Sequence, residues 1–379
     1  MKKRIGLILP ANLEYARGML TGASEWAFSQ PEVELHLLDD QGTLPPPDLL
    51  NRNFDGLLCF SYSDHFAEMK TAKTIQVYTS NRVRPEHSDL VISDDEAVGR
   101  MAAEHFIRRG YRDLVYAGRS GHQYSDERGV GFVAAAEEAG LSVHCFDMAA
   151  ASDQEVCDLE LPRLRPRSGV FAANDILART LMHFTEHPLQ RIPLHFALLG
   201  VDDDPMQRAL CPLPLSSIEL DGRQVGYRAM ERILARIHNP ELPLETIRVP
   251  PLRLHTRHST DIYALEDELA ARTLEVMDEH LQDLPDVAGL IDLLHVPRRT
   301  LEQRFRKATG RTLARELAIL RIERARDLLR NSSDTVEEIA QSVGLPEARM
   351  LWMLFKRHCE ETPSAYRKRM QQNLPPLEG

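Results

Sequence analysis

From Val287 the chain reads VAGLIDLLHVPRRTLEQRF, and from Val336 it reads VEEIAQSVGLPEARMLWMLF. Each stretch has the form of a short amphipathic helix, a turn and a second helix. Through the first helix and the turn the copies align at a fixed offset: Leu290 with Ile339, Val296 with Leu345, Pro297 with Pro346 and Leu301 with Met350. Apolar residues three and four apart supply the inner face of each helix. Pro297 suits the opening of a helix, where its missing N–H is not needed. Two helix-turn-helix units joined by one helix would span successive major grooves on one face of a duplex, so double-stranded DNA is the first candidate partner.

With Leu301 and Phe305 turned to the core, Arg298, Arg299, Glu302 and Gln303 face outward near the start of the second helix. From there Arg reaches guanine, Gln adenine and Glu cytosine. Arg304, Arg306 and Lys307 are better placed for phosphates, which position a protein without specifying sequence. The second copy carries Trp352 and Met353 where polar base-reading groups are expected; they can contact a thymine methyl but offer no bidentate pattern. Two readings stay open for it: weak readout carried mostly by phosphate contacts from Lys356, Arg357 and Arg349, or a head turned to a different surface. A long helix is expected from Thr312 to Leu329, with Arg321, Arg324 and Arg326 facing solvent or approaching the DNA backbone. Upstream, a helix over Ala264 to Leu281 and a start at Pro285 and Asp286 complete an all-α region.

A net charge of -11 argues against nucleic acid only if charge is spread evenly. It is not: Pro297 to Arg330 holds eleven basic residues against four acidic ones, a surplus of +7 over 34 residues. At 379 residues the chain exceeds one ordinary core. With 43 % hydrophobic and 27 % charged residues it is a folded protein rather than a disordered one. No run of eighteen apolar residues is present, and the five cysteines are scattered without a CxxC pair, so membrane insertion, a zinc site and a disulfide framework are not expected. A reducing cytoplasm is the expected location, with no cofactor and no metal.

Through the first 260 residues short apolar runs alternate with helical patterns. Runs such as IGLIL at Ile5 to Leu9, DGLLCF at Asp55 to Phe60, DLVYAG at Asp113 to Gly118 and HFALLGV at His195 to Val201 show no strict alternation. A parallel sheet covered on both faces requires this pattern. Helices are expected over Glu96 to Arg109, Glu127 to Ala139 and Asp175 to His187. Repeated βα units of this length fill two lobes, with a crossing near Phe106 to Arg112 and a strand returning at Leu244 to Val249. A ligand between such lobes sits beyond the carboxyl ends of the strands. Tyr15, Arg17, Asp94, Arg128, Asn174 and Asp202 follow those ends and offer the acceptors, the forked donor and the aromatic face that suit a small neutral sugar. The bland alternatives are a helix cap for Asn174, a solvated turn at Asp202 to Asp204, a surface Arg128 and a core Tyr15. A sugar-modifying enzyme, reading Asp202 with Asp94 as paired carboxylates, lacks support from any nucleophile elbow, phosphate loop or HExxH motif. No catalytic residue is therefore assigned.

Residues 261–379 resemble the AraC/XylS-type DNA-binding domain. The matching segments are LxxLLHVPRRTLEQRF, GRTLARELAILRIERARDLL, EEIAQSVGL and FKRHCEETPSAYR, in order and spacing. Residues 1–260 resemble the effector-binding core of LacI/GalR repressors through ANDILA at Ala173, LLGVDDDP at Leu198 and SSIELDGRQVGYRAM at Ser216. The resemblance implies a two-lobed, periplasmic-binding-protein-like α/β core with parallel sheets, followed by an all-α domain with two helix-turn-helix motifs. It also implies sugar contacts at Arg128, Asn174 and Asp202, with Asp94 in some members, and pairing of two cores into a homodimer. The order of the two parts is similar to that of bacterial sugar-operon regulators. This implies xylose as the leading effector, with a related pentose or hexose as the alternative, an operator of repeated half-sites, and, for an activator, RNA polymerase as a further partner. A stand-alone sugar-binding module would need no doubled reader. The expected mechanism is closure of the lobes on the sugar, which shifts the junction around Arg253 to Asp261 and re-spaces the DNA-binding domains.

Overall fold

The computed structural model describes residues 2–39, 54–60, 74–80, 88–185, 192–193, 195–261, 267–284, 286–359 and 361–371. They divide into two compact units: Met1–Arg108 with Arg112–Asp261, and Arg109–Tyr111 with Ile262–Gly379.

The first unit opens with β1 (Lys3–Leu9), α1 (Glu14–Phe28), β2 (Val33–Asp39), β3 (Gly56–Cys59), β4 (Ile75–Tyr78) and β5 (Asp89–Ser93). It continues with α2 (Asp95–Arg108), β6 (Asp113–Gly118), α3 (Gln123–Glu138), β7 (Val143–Asp147), α4 (Asp153–Glu160), β8 (Ser168–Ala172), α5 (Asp175–Phe184), β9 (Phe196–Val201) and α6 (Pro205–Ala209). The last elements are β10 (Ser216–Glu219), α7 (Gly222–His238), β11 (Thr246–Val249) and β12 (Arg253–His255). One sheet has the order β11-β5-β4-β3-β1-β2 and is parallel throughout; the other, β12-β10-β9-β8-β6-β7, is parallel except for β12. Every residue of β5, β8 and β9 is buried, as expected where helices cover both faces of a parallel sheet.

The chain passes between the sheets three times: from β5 through α2 to β6, from β10 to α7, which packs on α1, and from β11 to β12. The strand expected at Leu244 to Val249 is β11, paired in parallel with β5. Helix α3 starts at Gln123 rather than Glu127, which places Arg128 in its second turn and buries it. The expected end of the Asp175 helix near His187 lies outside the described residues.

The second unit contains α8 (Glu268–Glu279), α9 (Val287–Leu294), α10 (Arg298–Thr309), α11 (Leu313–Asn331), α12 (Val336–Ser342), α13 (Ala348–Cys359) and α14 (Pro363–Gln371). The expected Ala264 to Glu266 start of α8, and Pro285, lie outside the described residues; Asp286 caps α9 through the N–H groups of Ala288 and Gly289. Two small cores form. Leu274, Leu290, Leu301 and Phe305 close on Leu313 and Leu317 of α11, while Ile339, Leu345, Leu351 and Phe355 close on Ile322, Ala325 and Leu329 of the same helix. Each half of α11 therefore belongs to a different helix-turn-helix.

Two expectations for this unit are corrected. The counterpart of Leu301 in the second copy is Leu351, not Met350: α9 and α10 begin at Val287 and Arg298, α12 and α13 at Val336 and Ala348, so the second copy carries one more residue between the starts of its two helices. Arg321 is not outward but 7 % exposed. It donates to the carbonyls of Leu284 and Val343 (2.5 and 3.0 Å) and of Gly344 (3.1 Å), which come from both subdomains. Each turn has a left-handed residue, His295 at φ 52° and Gly344 at φ 72°. A Cβ on Gly344 would lie 2.3 Å from the Leu281 carbonyl, so the second turn, packed against that backbone, requires glycine. Among the described residues no helix is long and apolar enough to cross a membrane.

Candidate functional site

A cavity of about 270 Å³ opens between the carboxyl ends of the two sheets of the first unit. It lies just below the roughly 300–1,000 Å³ of pockets for drug-sized ligands, the scale of a small metabolite. Leu13, Tyr15, Phe60 and Ile92 line it from one side, and Tyr124, Arg128, Asn174 and Asp202 from the other.

Arg128 is its organising cation. It is 4 % exposed, donates Nε to Asp95 Oδ1 at 2.7 Å and to the Ala173 carbonyl through a terminal nitrogen, and lies over the Tyr124 ring at 4.9 Å. Close helix packing makes the first bond geometrically available. A Cβ on Gly99 would lie 2.0 Å from the Arg128 carbonyl oxygen, and one on Gly131 2.0 Å from that of Glu96, so α2 and α3 run in backbone contact. Burial raises the Asp95 carboxyl, against the opposing pull of Arg128.

Asn174 both caps and lines. Its Oδ1 accepts from the Leu177 N–H at 2.9 Å, leaving Nδ2 to donate to the Tyr124 hydroxyl at 3.1 Å. Tyr15 is held by Ser93, whose N–H and Oγ lie 3.2 and 2.8 Å from its hydroxyl. Asp202 sits past the end of β9 at φ 106°, a conformation that L residues rarely adopt. Its carboxylate has no hydrogen-bond partner among the described residues. Burial pushes its carboxyl up to about 7; Arg128 draws it down, and Asp95 and Asp204 repel it further. A half-buried, unpartnered acceptor in the cavity wall, beside a paired guanidinium, is suited to hydroxyl donors. With Asp95 and Arg128 neutralising each other, the remaining carboxylates disfavour phosphorylated or carboxylated ligands.

Two further residues named from the sequence lie elsewhere. Arg17 pairs with Glu14 at 2.6 Å and donates to the Ala11 carbonyl, and Asp94 caps α2 through the Ala97 N–H at 3.1 Å; neither lines the cavity. Asp95, one residue later, supplies the carboxylate that Asp94 was expected to supply. Sequence reasoning passed over it because a helix-start Asp-Asp pair does not reveal which member turns inward.

Asp203, also at positive φ (49°), turns away from the cavity. Its carboxylate accepts from Arg257 at 2.6 Å and lies 3.5 Å from His255 Nε2, while Glu219 takes Arg253 at 2.8 Å and His255 at 2.7 Å. Asp203, Glu219 and His255 have the donor types of a metal centre. The two arginines already neutralise both carboxylates, which makes the cluster an ion-pair network. From there to the end of the unit the chain is pinned: Ser259 donates to the Leu198 carbonyl, and Thr260 bonds Ser216 at 2.7 Å and His105 at 3.1 Å.

In the second unit Arg298, Arg299, Glu302, Gln303, Arg306 and Lys307 are exposed on α10, opposite buried Leu301 and Phe305. Arg298 and Glu302 pair along the helix at 2.9 Å. Arg304 is tied by two bonds, at 2.9 and 2.8 Å, to Asp267 before α8. On α13, Arg349, Lys356 and Arg357 are exposed, with Trp352 45 % and Met353 56 % exposed between them.

Comparison with known proteins follows this two-part division. Residues 103–260 match the periplasmic binding protein-like domain, and residues 290–369 match a helix-turn-helix domain. The xylose operon regulatory protein of Escherichia coli K12 is 26 % identical over 384 residues, covering 97 % of each chain. That of Haemophilus influenzae is 24 % identical over 386 residues, covering 96 % of this chain and 98 % of its own. Among solved structures, the xylose-binding transcription activator xylR aligns over 97 % of this chain and 98 % of its own, at 25 % identity and a TM-score of 0.60. A LacI family transcriptional regulator from Enterococcus faecalis V583 with bound ribose shares the fold of the core, with a TM-score of 0.54 at 21 % identity over 68 % of this chain and 98 % of its own. Homology to regulators that join a sugar-binding core of this type to a helix-turn-helix domain extends over nearly the whole chain. The finer AraC/XylS assignment rests on the sequence resemblance alone.

Proposed function

We propose that this chain is a sugar-responsive, sequence-specific transcription regulator. The observation that carries the proposal is the combination, in one chain, of a hydroxyl-recognising cavity between two lobes and a doubled helix-turn-helix with exposed cationic faces. The ligand is a neutral monosaccharide, held by Asp202 and Asn174 as acceptor and amide, by Arg128 as the oriented cation, and against Tyr15 and Phe60. Full-length likeness to xylose operon regulatory proteins puts xylose first among effectors, with other pentoses and hexoses behind it.

Operator DNA is bound by residues 261–379, of the AraC/XylS type, as a homodimer paired through residues 1–260. Base reading falls to Arg299, Glu302 and Gln303 on α10, with Arg298 paired along the same face, and phosphate contacts to Arg306, Lys307, Arg349, Lys356 and Arg357. Arg304, held by Asp267, has its charge partly spent within the protein. The response is activation, with RNA polymerase as the further partner.

Sugar shifts the protein toward a closed core only by binding that arrangement more strongly. The signal leaves the cavity through adjacent residues: Asp202 faces the ligand, and Asp203 holds Arg257 four residues before Asp261, where the first unit ends. Calorimetric titration against a panel of pentoses and hexoses, paired with operator binding by wild type and Arg299→Ala, tests both halves. The expected result is saturable binding of one sugar class and loss of specific DNA binding, with sugar binding intact, in the variant. Silence from every sugar, or DNA affinity independent of sequence, would overturn the proposal.

A further inference from the structure

The structural register of the two heads differs by 50 positions, and at that offset their exposed faces can be compared residue by residue. Arg299 corresponds to Arg349, Arg306 to Lys356 and Lys307 to Arg357, so the cationic frame is present twice. Between these cations the polar pair Glu302 and Gln303 corresponds to Trp352 and Met353. Both apolar side chains stand in solvent, opposite the buried Leu351 and Phe355.

We infer that α13 is a second DNA reader, specific for thymine methyl groups, with Trp352 and Met353 as its specificity residues. The inference rests on the proposed DNA-binding function and adds what the second head recognises. Positions 349, 352, 353 and 356 fall three and four residues apart, so they share one helical face. A protein partner of a Trp-Met patch would not require flanking cations at the positions where the first head has them; a phosphate backbone does. Within the major groove the apolar feature of a base edge is the C5-methyl of thymine, and the indole face and the flexible thioether fit it without demanding a donor pattern. Its neighbours support the same geometry: Leu354 and Cys359 pack inward, leaving Lys356 and Arg357 exposed. The first head then reads a polar, G- or C-containing segment and the second a T-rich segment.

The experiment uses full-length protein, with and without xylose. Binding-site selection from random duplexes gives a preferred sequence, after which each thymine in it is replaced singly by deoxyuridine, which removes one methyl and leaves every hydrogen-bonding group. The expected result is about a four-fold loss of affinity at one or two thymines in only one of the two sub-sites, the equivalent of about 0.8 kcal/mol for one buried methyl. Trp352→Gln with Met353→Gln should abolish that sensitivity and leave the salt dependence of binding unchanged. Lys356→Ala with Arg357→Ala should lower the slope of log K against log salt by roughly 2, at about 0.9 per phosphate. If every deoxyuridine duplex binds like the parent and the Trp352/Met353 variant keeps full DNA affinity, methyl reading is overturned. Loss of transcription activation in that same variant would assign the face to a protein partner. If no sequence is enriched at all, the DNA-binding function itself falls, an outcome distinct from the other two.

Discussion

Replacing Asp202 by Asn is expected to stabilise the empty protein and abolish its response to sugar, and the size of the first effect can be worked from the site. The native carboxyl is pushed up to about 7 from an ordinary 3.8 by burial. Below pH 4 it is protonated in both folded and unfolded chains and contributes nothing. From about pH 4 to 7 the unfolded chain releases the proton while the folded chain keeps it, so stability falls as pH rises, by about 1.4 kcal/mol per unit. Above 7 both states are ionised and the penalty levels off at roughly 4 kcal/mol; at pH 5 it is about 1.7 kcal/mol. Asparagine cannot ionise, so Asp202→Asn should be more stable than wild type by an amount that widens by about 2.5 kcal/mol between pH 5 and pH 8. Urea denaturation of both proteins at the two pH values, without sugar, measures this difference. In the wild type a hydroxyl donor binds the ionised carboxylate, so sugar affinity should rise about ten-fold per unit up to pH 7 and then flatten. A stability gap equal at both pH values would refute the reasoning, because Asp202 would then ionise like a solvated carboxyl.

Three further outcomes are expected. Arg321→Ala strands three buried carbonyls and should cost the C-terminal unit about 3 kcal/mol, read as a lower melting temperature with unchanged sugar binding. Gly344→Ala should cost at least about 1 kcal/mol from its left-handed backbone, and more from the Leu281 carbonyl, whereas His295→Gly in the matching turn should be neutral or slightly stabilising; thermal melts of the two variants decide. Asp203→Asn should leave sugar affinity within about three-fold, since its side chain faces away from the cavity, but weaken the change in operator affinity on adding sugar. Titrating operator with and without sugar checks this, and an intact response would remove Asp203 from the route.

Strand and helix order were legible in the sequence because burial in a doubly covered parallel sheet writes itself as short apolar runs without strict alternation, and β1, β3, β6 and β9 coincide with such runs. The two reading helices were legible for a similar reason: Leu301 with Phe305 declares the core face, so the outward residues follow. Legibility failed where a side chain's direction depends on a neighbouring element. Asp94 and Asp95 are chemically alike, and only the close approach of α2 to α3 selects the second as the partner of Arg128. Arg321 looked like one more surface cation because its carbonyl partners lie 22 to 37 residues away. The one-residue slip between the heads was hidden because Met350 and Leu351 are both apolar; their burial separates them, Leu351 being fully buried and Met350 only partly.

The Arg321 clamp has a consequence for the DNA. One guanidinium holds the subdomains of both heads to a helix of 19 residues, about 28 Å at 1.5 Å per residue, so α10 and α13 are fixed in separation and in azimuth. Each inserted base pair would rotate one sub-site about the duplex axis by roughly 35° relative to the other, at about 10–10.5 base pairs per turn. A protein held this stiffly cannot follow that rotation. The operator is gauged as well as spelled, and a spacer lengthened by half a turn should silence a site whose every recognised base is still in place.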